Sequence, residues 1–139
     1  GYYGWDEDRR LFRQLRELAT PQGVLVVLTA HRDWMVRHLD GEAIDKAGPI
    51  TIYQRRDLNL ETSTLESNWA FFDGEGDKRK LRLRLAMEHR VYSLHELRSL
   101  LEEVGWRYVK ALGGDRGADS RPSELDADSK TMWIVARAA

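Results

Sequence analysis

The sequence predicts an α/β fold, and three kinds of segment carry this prediction. Residues Val24–Ala30 form an unbroken apolar run after Pro21 and Gly23, which is typical of a strand buried on both faces of an α/β sheet. Residues 6–19 repeat apolar side chains at helical spacing, and residues 94–104 do the same. Residues 80–85 alternate basic and apolar side chains, which indicates a half-buried antiparallel strand.

The helix boundaries are marked in the sequence. Acidic residues 6–8 lie at the amino end of the first predicted helix, where the helix dipole favours negative charge. A capping box, Ser93-Leu94-His95-Glu96, begins the helix that Gly105 ends. A short helix is predicted over residues 32–39.

Strands and loops account for the other segments. Further strands are predicted over residues 50–53, 62–72, 106–112 and 132–136, and loops over residues 41–49 and 113–130. Together with residues 80–85, the first two of these strands predict an antiparallel hairpin or small meander. This β insertion occupies residues 50–92 within a single domain of residues 1–139.

Composition excludes several classes of protein. A chain of 139 residues with a net charge of −1 is about one small domain with no overall attraction to nucleic acid or membrane. The sequence contains no cysteine, and its four histidines lack the spacing of a metal motif. No segment is long and apolar enough for a membrane span. We expect a cytoplasmic protein.

Polar residues follow the apolar strand directly. His31, Arg32 and Trp34 lie just past its end, and ligands of α/β sheets gather beyond the carboxyl ends of the strands. Arg32 and Arg37 suit a substrate carboxylate or phosphate, and a solvated helix face is the alternative.

Two further sets of residues have alternative interpretations. The aromatic opening of Tyr2, Tyr3 and Trp5 suits a ligand pocket or the packing of a chain end. Lys78 to Arg84 form a basic strip that suits nucleic acid, although a solvated strand face fits a chain that is not basic overall. His89 lies on an apolar strand face, which favours a core position.

Short motifs keep a fixed order along the chain. They are Gly1-Tyr2-Tyr3, then Pro21-Gln22-Gly23-Val24-Leu25-Val26 after Leu15 and Leu18, Arg32-Asp33-Trp34, Tyr92-Ser93-Leu94-His95-Glu96-Leu97, Gly105-Trp106 and Trp133-Ile134-Val135-Ala136-Arg137. In this order they resemble the carboxyl-terminal half of a class I S-adenosylmethionine-dependent methyltransferase, from after the fourth strand onward. The second motif is similar to the family's Leu-x-Pro-Gly-Gly-x-Leu, with Gln22 in place of the first glycine.

The resemblance implies part of a doubly wound, Rossmann-like methyltransferase sheet. Residues 24–30 would be its fifth strand, residues 106–112 its sixth and residues 132–136 its seventh, with the last two forming an antiparallel edge. The insertion would be a substrate-side cap. The family's glycine-rich loop and its acidic ribose ligand are absent from this sequence, so we expect a truncated domain that does not bind the cofactor well alone.

The resemblance also implies site residues. Tyr2 and Tyr3 would contact S-adenosylmethionine, Trp5 would flank the methyl-transfer site, His31, Arg32 and Trp34 would lie at its mouth, and Trp69 and His89 would face the methyl acceptor. No catalytic base is identified by this resemblance.

The function implied is methyl transfer to a small molecule. The chain alone is expected to be inactive, and its partner would be the missing amino-terminal half or a second copy in a homodimer. Two alternatives stay open: a non-catalytic α/β module that dimerises through its exposed sheet edge, and a nucleic-acid-binding domain.

Overall fold

Two antiparallel sheets and three α-helices make up the described part of the chain. A computed structural model describes residues 4–74, 76–115 and 121–139. The elements in chain order are α1 (Trp5–Leu18), β1 (Val24–Ala30), α2 (Arg32–His38), β2 (Glu42–Ala47), β3 (Ile50–Asn59), β4 (Thr64–Asp73), a 3-10 turn (Gly76–Lys78), β5 (Lys80–Arg90), α3 (Leu94–Glu103), β6 (Trp106–Gly114) and β7 (Thr131–Ala138). The predicted α/β fold is therefore confirmed.

The first sheet has the strand order β1-β7-β6, so β7 lies in the middle. Both of its pairings are antiparallel, with Val27 opposite Ile134 and Ala111 opposite Ile134 from the other side. Met132, Ile134 and Ala136 point from β7 to one face and are fully buried. Helices α1 and α3 pack on that face, and the apolar core there is formed mainly by Phe12, Leu97, Leu100, Leu101 and, from β6, Trp106.

The opposite face of this sheet is open in the part of the chain that the structure describes. Val24, Val26 and Leu28 of β1 are 58%, 52% and 52% exposed. They lie opposite Arg137, Val135 and Trp133 of β7 and so share one face with them. The prediction that β1 is buried on both faces is wrong for this chain, because β1 is an edge strand with a cover on one face only.

The second sheet is a meander with the strand order β2-β3-β4-β5. All three pairings are antiparallel, as the alternating pattern predicted. The loop predicted over residues 41–49 is wrong, because Glu42–Ala47 pairs with β3 as strand β2. Charged residues dominate that segment and only Ile44 is a large apolar residue, so its sequence lacks the usual strand pattern.

Two smaller features of the fold bear on the sequence predictions. Ser93 Oγ accepts from the Glu96 backbone N–H at 3.3 Å and the Glu96 carboxylate accepts from the Ser93 backbone N–H at 3.0 Å, so the predicted capping box is present. Gly105 follows α3 with a φ of +92°, a conformation that favours glycine. Among the described residues, no helix has the length and apolarity to cross a membrane.

The capping box should contribute measurably to stability. We expect Ser93→Ala to lower the free energy of unfolding by about 1 kcal/mol, because the N-cap side chain satisfies an amide that the helix leaves unpaired. The matched control is His95→Ala, which removes an exposed side chain from the same helical turn and should change stability much less. Urea denaturation measures both, and equal losses would contradict the assignment.

Candidate functional site

The carboxyl end of β1 lies beside the start of α3. His31 forms a parallel bridge with Tyr92, and the Arg32 backbone N–H donates to the Tyr92 carbonyl at 3.0 Å. The His31 side chain is buried, and its Nδ1 lies 2.9 Å from the Ser129 carbonyl oxygen. His31 is thus held between β1, the start of α3 and the segment before β7.

A buried acid and a buried phenol form the centre of this region. The Tyr92 hydroxyl donates to Asp8 Oδ2 at 2.6 Å, and the two residues are 2% and 3% exposed. Burial and the neighbouring Asp8 carboxylate raise the pKa of Tyr92, so the phenol stays protonated and keeps donating. The pair joins the first turn of α1 to the residue that precedes the α3 cap.

Arg90 covers this pair from the insertion side. Its guanidinium carbon lies 5.0 Å from the centre of the Trp5 ring and 5.4 Å from that of Tyr92, which is cation–π geometry. Arg90 also donates to Glu96 at 3.1 Å. Burial raises the pKa of Glu96, but hydrogen bonds from Ser93 and the charges of Arg90 and Arg32 outweigh it and hold that pKa below its usual value.

Arg32 connects the two sheets. Its Nε donates to Ser63 Oγ at 2.7 Å, and a terminal nitrogen donates to the Leu60 carbonyl at 3.3 Å. Ser63 lies in the turn between β3 and β4 and is itself buried. The guanidinium predicted to clamp a substrate anion therefore has partners within the protein that fix its position.

Trp34 and Arg37 contact a different segment. The Trp34 ring lies 5.4 Å from His38 and 5.7 Å from Lys130 Nζ, measured to its centre. Arg37 pairs with Asp128 at 3.8 Å on the surface. The structure thus brings Trp5, His31 and Arg32 together around Tyr92, and it directs Trp34 and Arg37 to the segment before β7.

Trp69 and His89 share one face of the insertion sheet. Trp69 lies opposite Leu85, and His89 lies opposite Leu65. Leu65 and Trp69 are four positions apart on β4 and therefore point to the same face. Burial lowers the pKa of His89, which favours its neutral form. Arg56 lies on the same face, because it is paired with Ser67 two positions from Trp69.

Two buried donors on this face lack an acceptor in the described part of the chain. They are Trp69 Nε1 and Arg56 Nε. A buried N–H without an acceptor costs about 1–3 kcal/mol, so native structures seldom keep one without a reason. The pair makes this face of the insertion suitable for a ligand with hydrogen-bond acceptors.

An open cleft lies at the amino end of α3. Its volume is about 500 Å³, and it is lined by Arg32, Asp33, Ser93, Leu94, His95, Arg98 and Tyr108. Arg98 is partly neutralised by Glu102 at 3.0 Å and stacks on Tyr108 at 4.8 Å. Among residues 4–74, 76–115 and 121–139, no group of three or more His, Asp or Glu side chains is placed to hold a metal ion.

Two predicted sets of residues remain to be placed. Tyr2 and Tyr3 lie outside the described residues, so their contact with a cofactor stays a prediction. In the basic strip, Arg82 pairs with Asp73 and Arg79 donates to the Tyr53 hydroxyl. The hydrogen bond and the charge of Arg82 hold the pKa of Asp73 below its usual value, so Asp73 balances the charge of Arg82 within the chain.

Sequence reasoning missed Asp8, Tyr92 and Arg90, which organise the centre of the site, and it missed Arg56 on the insertion face. One signal was present, because Asp8 lies one helical turn before Phe12 on the apolar face of α1. An acid on an apolar face requires a buried partner. The identity of that partner, 84 positions away, depends on the tertiary structure.

The comparisons with known proteins point to one fold. No protein-family model matches the chain, and no curated protein is similar to it. The CcbJ methyltransferase from Streptomyces caelestis has a similar structure, with a TM-score of 0.77 at 22% identity over 98% of this chain and 55% of that one.

Two further methyltransferases are similar over 97% of this chain and 52% of their own. One is an S-adenosylmethionine-dependent methyltransferase from Clostridium acetobutylicum (TM-score 0.75, 10% identity). The other is CalS10 from Micromonospora echinaspora, an amino pentose methyltransferase solved with S-adenosylmethionine bound (TM-score 0.63, 11% identity). The chain therefore has the fold of these methyltransferases, and it spans about half the length of each.

The hydrogen bond between Tyr92 and Asp8 predicts a pH-dependent stability. We expect Tyr92→Phe to lower the free energy of unfolding by about 1–3 kcal/mol at pH 7, because the buried carboxylate loses its donor. Since the pKa of Tyr92 is raised in the folded state, wild-type stability should fall above about pH 10, where the unfolded phenol ionises.

Denaturant unfolding between pH 7 and pH 11 tests this prediction. The free energy of unfolding should fall less above pH 10 in Tyr92→Phe than in wild type. Tyr108→Phe removes a half-buried phenol elsewhere and should cost less at pH 7. If Tyr92→Phe had the same free energy of unfolding at pH 7 as wild type and lost it equally steeply above pH 10, the assigned role would be contradicted.

The hydrogen bonding of two tryptophans predicts that their replacement by phenylalanine lowers stability by unequal amounts. Trp106 Nε1 donates to the Phe12 carbonyl at 2.9 Å, whereas Trp69 Nε1 has no acceptor among the described residues. Trp106→Phe should therefore cost about 1 kcal/mol more than Trp69→Phe, because only the first breaks a buried hydrogen bond. Thermal unfolding measures both, and a larger loss in Trp69→Phe would contradict the assignment.

Proposed function

We propose that this chain is the carboxyl-terminal, acceptor-side half of an S-adenosylmethionine-dependent methyltransferase that acts on a small molecule. One observation carries the proposal: a three-stranded sheet of order β1-β7-β6 leaves an apolar edge and face open, in a chain that spans about half of the methyltransferases it resembles. In this proposal β1, β6 and β7 are strands five, six and seven of a doubly wound sheet. The meander β2–β5 is an insertion on the acceptor side.

The open surface supports the proposal because of its composition. Val24, Val26 and Leu28 alternate along an edge strand, and Trp133 and Val135 continue the apolar face on β7. Covering the exposed half of such a side chain contributes about 1 kcal/mol to stability. A parallel strand against β1 and a helix across this face would cover them.

The chain's own residues do not fit the cofactor by themselves. The backbone after β1 continues directly into His31 and Arg32, whose side chains are held by Ser129 and Ser63, and no glycine-rich turn follows this strand. When bound, S-adenosylmethionine supplies an electrophilic methyl group. In our proposal the amino-terminal half holds it, and Tyr2 and Tyr3 contact it from this chain.

The part of this chain is to bind and orient the acceptor. We assign this role to Trp5, His31, Trp69 and His89. Trp34 and Arg37 were also predicted to contact the acceptor, but they contact the segment before β7 instead. The donors of Arg56 and Trp69, which have no acceptor among the described residues, favour an acceptor molecule with polar groups. Arg32 acts through position, since it holds the β3–β4 turn against the end of β1. Holding the acceptor in reactive geometry and excluding water account for most of the rate that a protein contributes to such a transfer.

A second function is favoured by the same open edge. A non-catalytic module would bury β1 against another copy of itself, because an exposed apolar edge strand readily pairs with another chain. In that case neither the 139-residue chain nor a protein extended at its amino end would bind S-adenosylmethionine.

Calorimetry with S-adenosylmethionine distinguishes the two functions. We expect no binding heat from the 139-residue chain, and saturable binding from a protein extended at its amino end into the preceding coding sequence. Circular dichroism of both proteins confirms folding. Tight binding by the 139-residue chain, or none by a folded extended protein, would contradict the proposal.

A further inference from the structure

One face of the second sheet changes from buried to open along its strands. It is the face that carries Trp69, and we call it the Trp69 face. Near the β3–β4 turn, Leu65 and Ser67 of this face are each 4% exposed. On β5, Leu83 and Leu85 of the same face are 48% and 40% exposed. Trp69 is half-buried and lies at the boundary between the buried part and the open part.

Arg56 lies at this boundary and has no partner for its charge. It is paired with Ser67 on the neighbouring strand, which places it diagonal to Trp69 on the same face. Its half-buried side chain forms no ion pair or hydrogen bond with any described residue, and its Nε is buried without an acceptor. Charged groups that leave water are normally paired. The position of Arg56 therefore favours a partner from outside the described part of the chain.

The acids of the Trp69 face are far from Arg56 and already have partners. Among the described strand residues, this face carries two carboxylates, Asp45 of β2 and Asp73 of β4. Asp45 accepts from Gln54, and Asp73 accepts from Arg82. Both acids pair with β3 at least four positions from Arg56, which corresponds to about 13 Å or more. The positive charge of Arg56 is therefore not balanced on this face.

The donors at the boundary match a carboxylate. Arg56 and Trp69 carry N–H donors and no acceptor, and burial lowers the pKa of His89, so that ring adds no positive charge. A carboxylate carries one negative charge, and its two oxygens fit the planar fork of a guanidinium. A phosphate monoester carries nearly two negative charges. It would require a second positive charge, which the described residues of this face do not place beside Arg56.

An apolar surface adjoins these donors on the open side. The centres of the Trp69 and Phe71 rings lie 6.1 Å apart. Leu85 lies opposite Trp69, and Leu83 lies opposite Phe71, so the four side chains form one continuous patch. A molecule with its carboxylate at Arg56 would lay an apolar body across this patch. The face therefore suits an apolar body that carries one carboxylate.

We propose that Arg56 binds the carboxylate of a small molecule whose apolar body covers Trp69 and Leu85. The indole N–H of Trp69 supplies a further donor beside the guanidinium. The identity of this molecule as the methyl acceptor rests on the proposed function, whereas the carboxylate site itself does not. Arg56 then determines the charge of the acceptor, and the substrate class is that of apolar carboxylic acids.

Titration of the 139-residue chain with benzoate tests the site, because benzoate is a carboxylate on a flat apolar ring. The indole N–H resonance of Trp69 in isotope-labelled protein reports binding, and Trp69→Phe identifies that resonance. We expect a saturable shift without S-adenosylmethionine. Benzamide has the same ring without the charge, and we expect it to bind at least about tenfold more weakly.

Substitutions of two adjacent arginines locate the site. Arg56→Gln should weaken benzoate binding by about 10–100-fold, because it removes hydrogen bonds from a charged donor. Arg56→Lys keeps the charge without the fork and should give an intermediate affinity. Arg55→Gln is the matched control, because Arg55 is exposed and points to the opposite face, and it should bind benzoate like wild type. The backbone amide spectrum shows whether each variant is folded.

Several results would overturn the proposal. They are no saturable shift of the Trp69 resonance in wild type, equal affinity for benzamide, or an equal loss of affinity in Arg55→Gln. Tighter binding of phenyl phosphate than of benzoate would overturn the assignment to a carboxylate. If Arg56→Gln does not fold, Arg56→Lys and the two probes in wild type provide the test. The titration requires no S-adenosylmethionine, so its failure is distinct from failure of the proposed function.

Discussion

The structure depends on the two unequal faces of its central strand. β7 is paired on both sides, and Met132, Ile134 and Ala136 are completely buried beneath α1 and α3. These contacts hold one face of the first sheet. The other face carries apolar side chains that no described element covers. The acceptor-side proposal follows from that asymmetry.

The two sheets are joined by polar contacts. Asp8 and Tyr92 connect α1 to the start of α3, Arg90 stacks on Tyr92, and Arg32 holds the β3–β4 turn. Hydrogen bonds between buried polar groups are costly to break. The insertion is therefore fixed relative to the end of β1, and this arrangement would let residues from both sheets hold one acceptor molecule.

Local patterns predicted local structure well in this sequence. The apolar run of β1, the capping box of α3 and the alternation of β5 each depend on neighbours in sequence, and each element is present. The failures have tertiary causes. The sequence of β2 lacks a strand pattern, and this segment is a strand because it pairs with β3. Likewise, the exposure of one face of β1 depends on which elements pack around it. The site residues Tyr92 and Asp8 were missed because they meet across 84 positions.

The central claim is that β1 has an unfilled neighbour position on its outer side. Hydrogen–deuterium exchange of the β1 amides tests it most directly, in the 139-residue chain and in a protein extended at its amino end into the preceding coding sequence. The account predicts that the outward-facing amides of β1 exchange rapidly in the shorter chain and at least about 100-fold more slowly in the extended one. Amides of β1 that are already as protected as those of β7 in the shorter chain, or that show no change on extension, would contradict it.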